Sequence, residues 1–229
     1  MNWTLNNLDT ILELTLEHVK LAIIPIVASF VLSIPLGWLA NLNARMRSIV
    51  ITGGSLLFTI PSLPLFVILP LFIGTRVLSS ANLVVALTIY GVALMARSAA
   101  DALASVDKTT LDASTAQGFS PMSRFFRVEL PLAGPVLLAG IRVVSVSTIA
   151  LVSVGVIIGS QNLGSLFLAG SQRGILEEVG VGIVMSMLVA LVFDQIILAL
   201  GRVLMPWTRK DRETRISRGA QGVPTVEAA

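Results

Sequence analysis

The chain has 229 residues, 55% of them hydrophobic and 13% charged, with a formal net charge of +3. An ordinary soluble domain carries about 25% charged residues, so long apolar runs between short charged stretches indicate an integral membrane protein forming one compact bundle. The runs are too long and unbroken for a β-barrel, and a chain without cysteine has no disulfide, thiol nucleophile or cysteine metal site.

Residues 1–18 lack the basic start of a cleaved signal peptide and contain Asp9, Glu13 and Glu17. Leu5, Leu8, Leu12 and Thr15 recur at helical spacing. The segment reads either as an amphipathic helix lying at the interface or as the first turns of an extended first span. Five stretches qualify as membrane spans, near 19–40, 49–74, 82–100, 132–158 and 179–205, within a membrane domain covering 19–207. The second contains Pro61, Pro64 and Pro70, each of which removes a backbone donor and kinks or breaks a helix. Freed carbonyls survive in a bilayer only against protein or a wet cavity. Thr59, Pro61, Ser62 and Pro64 are therefore expected at a subunit interface or solute path, not against lipid.

Basic residues set the expected orientation. With the N-terminus outside, Arg45, Arg47, Lys108, Arg124, Arg127 and the cluster from Arg209 to Arg218 all fall on the cytoplasmic side. Lys20, Arg76 and Arg173 are left outside, which predicts N-out and C-in. Residues 208–229 carry charges, Gly and Pro without apolar periodicity and read as a flexible basic tail that can touch anionic lipid. That tail and the cytoplasmic loops account for most of the pI near 10.0, so it does not signal nucleic-acid binding.

Between the third and fourth spans lies a polar insert, about 101–131, containing "LDASTAQGFSPMSRFFRVELP". Thr109 or Thr110 is expected to cap a short helix, with Gly118 just past its end in a left-handed conformation. Ser120-Pro121 is a second helix start, and Pro131 is expected to stop that helix and turn the chain back to the membrane. The product is two short helices at an angle, with Phe125 and Phe126 either packed inward or filling a partner's groove.

The insert resembles the cytoplasmic EAA loop of bacterial ABC-importer permeases. Asp112-Ala113-Ser114, three residues, Gly118, nine residues, Val128, one residue and Leu130-Pro131 keep the spacing of Glu-Ala-Ala, Gly, Ile and Leu-Pro. The segments "LTLEHVKL", "IPLGWLA", "TIPSLPLF", "ELPLAGPVLLAGIR" and "IGSQNLGSLFLAG" extend the likeness over about 12–210. They are similar to permeases of osmoprotectant importers, which carry glycine betaine, choline, carnitine or related quaternary amines. The resemblance implies a polytopic all-α permease of a bacterial inner membrane, paired with itself or a sister permease. It also implies two cytoplasmic ATPase subunits, docked on the insert, and an extracytoplasmic substrate-binding protein. ATP and Mg would be used by the partner ATPase and no cofactor by this chain. An amino-acid permease, such as one for methionine, shares the same loop.

The remaining motifs point the same way by exclusion. No G-x-x-x-x-G-K-[ST], Gly-x-Ser-x-Gly or His-Glu-x-x-His occurs, so no catalytic residue is assigned. The lone His18 is expected at the interface and not in a metal site. Gly155 and Gly159 form a small-xxx-small pair suited to tight packing within the subunit or to a dimer contact. Arg173 reads as a solvated outer-loop charge or a contact for a binding protein. An ATPase-independent channel or carrier would instead show repeated halves or ionisable groups lining a pore. Two charges do lie deep in spans: Arg142 is eleven residues after Pro131 and Asp194 eleven before Met205. Both sit about 16 Å from the same boundary, where a lone charge is costly, so they are expected to pair.

Overall fold

The computed structural model describes residues 2–74, 76 and 79–208, and every regular element among them is helical. They are α1 (Asn2–Asn6), α2 (Leu8–Ala40), α3 (Ala44–Thr59), α4 (Ser62–Ile73) and α5 (Ser80–Ala104). There follow α6 (Lys108–Ala116), α7 (Pro121–Arg124), α8 (Leu130–Val154), α9 (Gly164–Arg173) and α10 (Leu176–Leu204). Among the described residues, α2, α5, the rod Pro121–Ile158 and α10 are each long and apolar enough to cross a membrane. α3 and α4 together, bent by 106° where they meet, are apolar enough for a fifth, broken span or for a re-entrant loop. The fold is thus an all-α membrane bundle.

Several boundaries differ from those expected, each for a local reason. No break falls at residue 18. Residues 8–18 are the first turns of α2, with Ile11 and Leu14 buried and Leu5, Leu8 and Leu12 exposed. Thr4 holds the short α1 against the start of α10, its hydroxyl donating to Glu177 at 2.8 Å. The apolar run of α5 continues to Ala104, so the insert proper begins beyond it. Residues 209–229, which contain most of the basic tail, lie outside the described residues.

At the centre α2, α5 and α8 touch through small residues. A Cβ added to Gly37 would lie 2.7 Å from Ala99, one on Gly91 2.6 Å from Ser29, and one on Gly140 2.6 Å from Ser98. Close backbone approach of this kind drives packing where lipid offers no hydrophobic gain. His18 is not at a wet interface but fully buried, its Nε2 3.0 Å from the Ile149 carbonyl oxygen. That oxygen only accepts, so Nε2 carries the proton and ties α2 to α8. Gly155 packs on Leu83 within the subunit, and Gly159 lies beyond the helix with φ +79, so the two do not form one helical stripe.

Candidate functional site

The polar insert is two short helices pinned to the end of α8. Its first helix is capped by Asp107, not by Thr109 or Thr110: the Asp107 carboxylate accepts from Thr109 N–H at 3.1 Å and from the Thr109 hydroxyl at 2.8 Å. The hydroxyl first, and the backbone N–H with it, hold this carboxyl below the usual carboxylate range. The cap therefore stays charged at neutral pH, and its contribution is lost as pH falls through that lowered pKa. At the other end Gly118 N–H donates to Thr115 O at 2.9 Å and Phe119 N–H to Ser114 O at 3.2 Å. This paired ending needs a left-handed residue at Gly118, whose φ is +86. A side chain there would meet open space, so its cost is backbone strain alone, about 1 kcal/mol. Asp112 and Ala113 lie on the exposed side of α6, whereas Ser114 is buried and donates to Leu111 O at 2.7 Å.

Leu130-Pro131 does not end the second helix. Leu130 is helical and its N–H donates to Phe125 O, five residues back. The resulting π turn, Phe125–Glu129, widens the helix where the Pro131 ring would otherwise crowd the preceding turn, so Pro121–Ile158 runs on without a stop. Arg124 locks this joint. Its Nε donates to Glu129 Oε1 at 2.8 Å, and its Nη1 reaches back to the Thr115 hydroxyl of α6 at 2.9 Å. The two phenylalanines divide. Phe125 is buried edge-on against Trp38 of α2, their ring centroids 6.5 Å apart. Phe126, with Met122, faces outward at 58% and 68% exposure.

The proline-rich crossing breaks at Ile60-Pro61. Pro64 and Pro70 lack the N–H groups that would bond Ile60 O and Phe66 O four residues earlier. Both carbonyls find side chains of α5 instead: the Tyr90 hydroxyl donates to Ile60 O, and Asn82 Nδ2 donates to Phe66 O at 2.6 Å. Tyr90 and Asn82 escaped the sequence reading, although counting four residues back from each proline identifies the orphaned acceptors. We expect Tyr90→Phe and Asn82→Leu each to lower unfolding stability in detergent by about 1–3 kcal/mol. Unchanged stability in both would mean that water reaches the break. Thr59, Pro61 and Pro64 are exposed on the single chain and Ser62 is partly so.

Three further charged contacts join the elements. Arg142 Nε lies 2.6 Å from Asp194 Oδ1 and Nη2 3.0 Å from Oδ2, a two-pronged pair linking α8 to α10. Arg47 bonds both Asp101 and Asn41, and Asn41 Nδ2 donates to Ala100 O at 2.9 Å, closing α2, α3 and α5 at the end nearest the insert. At the opposite end Arg173 is not simply solvated, because Nη2 donates at 2.8 Å to Oε1 of the buried Glu178. No group of three or more His, Cys, Asp or Glu side chains suited to a metal gathers among the described residues.

The family model described as "Binding-protein-dependent transport system inner membrane component" matches residues 33–210. The Salmonella typhimurium osmoprotectant import permease protein OsmW is 30% identical over 211 residues, 90% of this chain and 97% of its own. The Bacillus subtilis choline transport system permease protein OpuBB is 28% identical, covering 84% of this chain and 87% of its own. Among solved structures, an inward-facing MetNI methionine ABC transporter chain superposes with a TM-score of 0.71 at 21% identity, covering 85% of this chain and 95% of that one. At that identity the likeness concerns the fold alone.

Proposed function

This chain belongs to the family of inner-membrane components of binding-protein-dependent transport systems, and on that premise we propose that it passes osmoprotectants of the quaternary-amine class across the membrane under the drive of a partner ATPase. The solute class follows the names of its relatives, an osmoprotectant permease and a choline permease. Orientation is N-out and C-in, which sets the insert in the cytoplasm. Selectivity lies mainly with an extracytoplasmic binding protein, since quaternary ammonium groups favour aromatic cages and this chain has three Trp and one Tyr.

One observation carries the reading: exposed Phe126 and a membrane span belong to the same continuous rod, Pro121–Ile158. A partner seated on Met122 and Phe126 moves α8 directly. Arg124 keeps α6 in step with it, and the Arg142–Asp194 pair passes the motion to α10. Asp112, Ala113 and Gly118 form the remainder of the docking surface, and Leu130-Pro131 the root of the lever. A second permease, a copy or a sister, covers the α3–α4 face. The break at Thr59 to Pro64 is exposed on the single chain, and irregular backbone is tolerated at membrane depth only where protein or a wet cavity covers it.

Mild solubilisation followed by affinity purification tests this. An ABC ATPase should co-purify, and Ser62→Cys in a chain without native cysteine should cross-link to a second permease in a nucleotide-dependent way. Solute uptake by vesicles holding this chain and no ATPase would sink the proposal.

A further inference from the structure

Three different sides meet along α3. Its four hydroxyl residues, Ser48, Thr52, Ser55 and Thr59, follow one another at steps of four, three and four. At about 100° per residue they share an arc of about 60°, and all four are exposed on the single chain. A second side meets α5. Arg47 bonds Asp101, a Cβ added to Gly54 would lie 3.0 Å from Ala93 O, and the Phe58 ring stands edge-on to Tyr90 with centroids 5.8 Å apart. The third side carries Met46, Ile49 and Leu57, exposed and apolar. From Ser48 to Thr59 the rise is about 16 Å, half of a hydrocarbon core about 30 Å thick.

The hydroxyls differ in what they do with their protons. Ser55 Oγ donates to Ile51 O and Thr59 Oγ1 to Ser55 O, each at 2.9 Å, so their hydrogens turn to the helix and their lone pairs outward. The Ser48 and Thr52 hydroxyls have no partner among the described residues. Back-bonding lets a hydroxyl sit at a lipid-facing position, but a bare hydroxyl in hydrocarbon is costly. Lipid or an apolar helix suits the side of Met46, Ile49 and Leu57. Water suits the hydroxyl side. The row also leads directly to the break at Ile60-Pro61, and irregular backbone at membrane depth is tolerated beside protein or a wet cavity.

We propose that Ser48, Thr52, Ser55 and Thr59 form one wall of a water-filled path, along which the solute crosses the half of the membrane nearest the insert. The proposal rests on the transport reading above. A quaternary ammonium has no N–H to donate, so it meets such oxygens through charge alone and each holds it weakly. Weak acceptors repeated at successive turns allow passage without a trap, which conduction requires.

The test uses the full chain with the subunits that accompany it, in lipid nanodiscs, as single-cysteine variants of a sequence that has no cysteine. The probe is a methanethiosulfonate bearing an ethyltrimethylammonium group, a fixed cation of the solute's own type, and adducts are followed by intact-chain mass spectrometry. Ser48→Cys, Thr52→Cys and Ser55→Cys should react at least about tenfold faster than Ile49→Cys and Leu57→Cys, because hydrocarbon excludes a fixed charge. Three positions on the row cover a folding failure at any one. Rates are taken with and without ATP, so that a path closed in one state is read in the other. Equal rates on the two sides in both states would overturn the wall. A Thr52→Cys chain that forms a disulfide with a second copy in both states would overturn it too, because the row would then be a seam between helices. Choline or glycine betaine should slow the reaction of the row. Fast labelling that neither slows would overturn the solute class of the transport reading and leave the wall in place, whereas unreactive row cysteines would overturn the wall and leave that reading untouched.

Discussion

Arg142→Ala and Asp194→Ala are each expected to lower stability by about 3 kcal/mol, while the double variant loses clearly less than the sum. The two side chains meet through two parallel bonds of 2.6 and 3.0 Å, a geometry that fixes orientation as well as charge. Arg142 lies twelve residues from the start of α8 and Asp194 ten from the end of α10, so both sit about 15–18 Å inside their helices. Removing one partner strands the other at a depth where water is scarce. Arg142→Lys keeps the charge but not the fork and should recover only part of the loss. Thermal unfolding of the four variants in one detergent checks this. Additive losses would show that each charge finds its own solvation and that the pair contributes nothing.

Replacing the two adjacent phenylalanines should give opposite phenotypes. Phe125→Ala removes a buried ring from between Trp38 and Phe126 and is expected to cost about 3–5 kcal/mol in stability. Phe126→Ala removes an exposed ring, so the chain should remain folded. Its loss should instead weaken ATPase association about tenfold or more, the scale of an aromatic anchor worth over 1 kcal/mol at an interface. Unfolding curves and a pull-down of the ATPase separate the two effects. If Phe126→Ala binds the ATPase normally, the exposed ring is not the anchor and the docking surface lies elsewhere on α6 and α7.

Apolar length and charge placement act locally and survive any packing, so the class of this protein is legible in its residues alone. Part of the insert's grammar was legible too, although Asp107 and not a threonine caps its first helix. Gly118 adopts the left-handed turn that its place after a helix requires, and Ser120-Pro121 starts the next one, since caps depend on a few neighbouring residues. Counting alone also put Arg142 and Asp194 at equal depth. Other features needed the tertiary structure. Pro131 reads locally as a stop, yet a single π turn held by Arg124 and Glu129 carries the helix through it. Phe125 and Phe126 are indistinguishable by spacing, and only Trp38, nearly ninety residues away, decides which one faces inward. The break in the proline-rich crossing was predictable as a loss of backbone donors. Its repair by Tyr90 and Asn82 was not, because each donor comes from another helix brought alongside by packing. Local patterns mark where the backbone loses its donors or can turn, whereas the partners that satisfy a broken backbone or a buried charge are chosen by which helices meet.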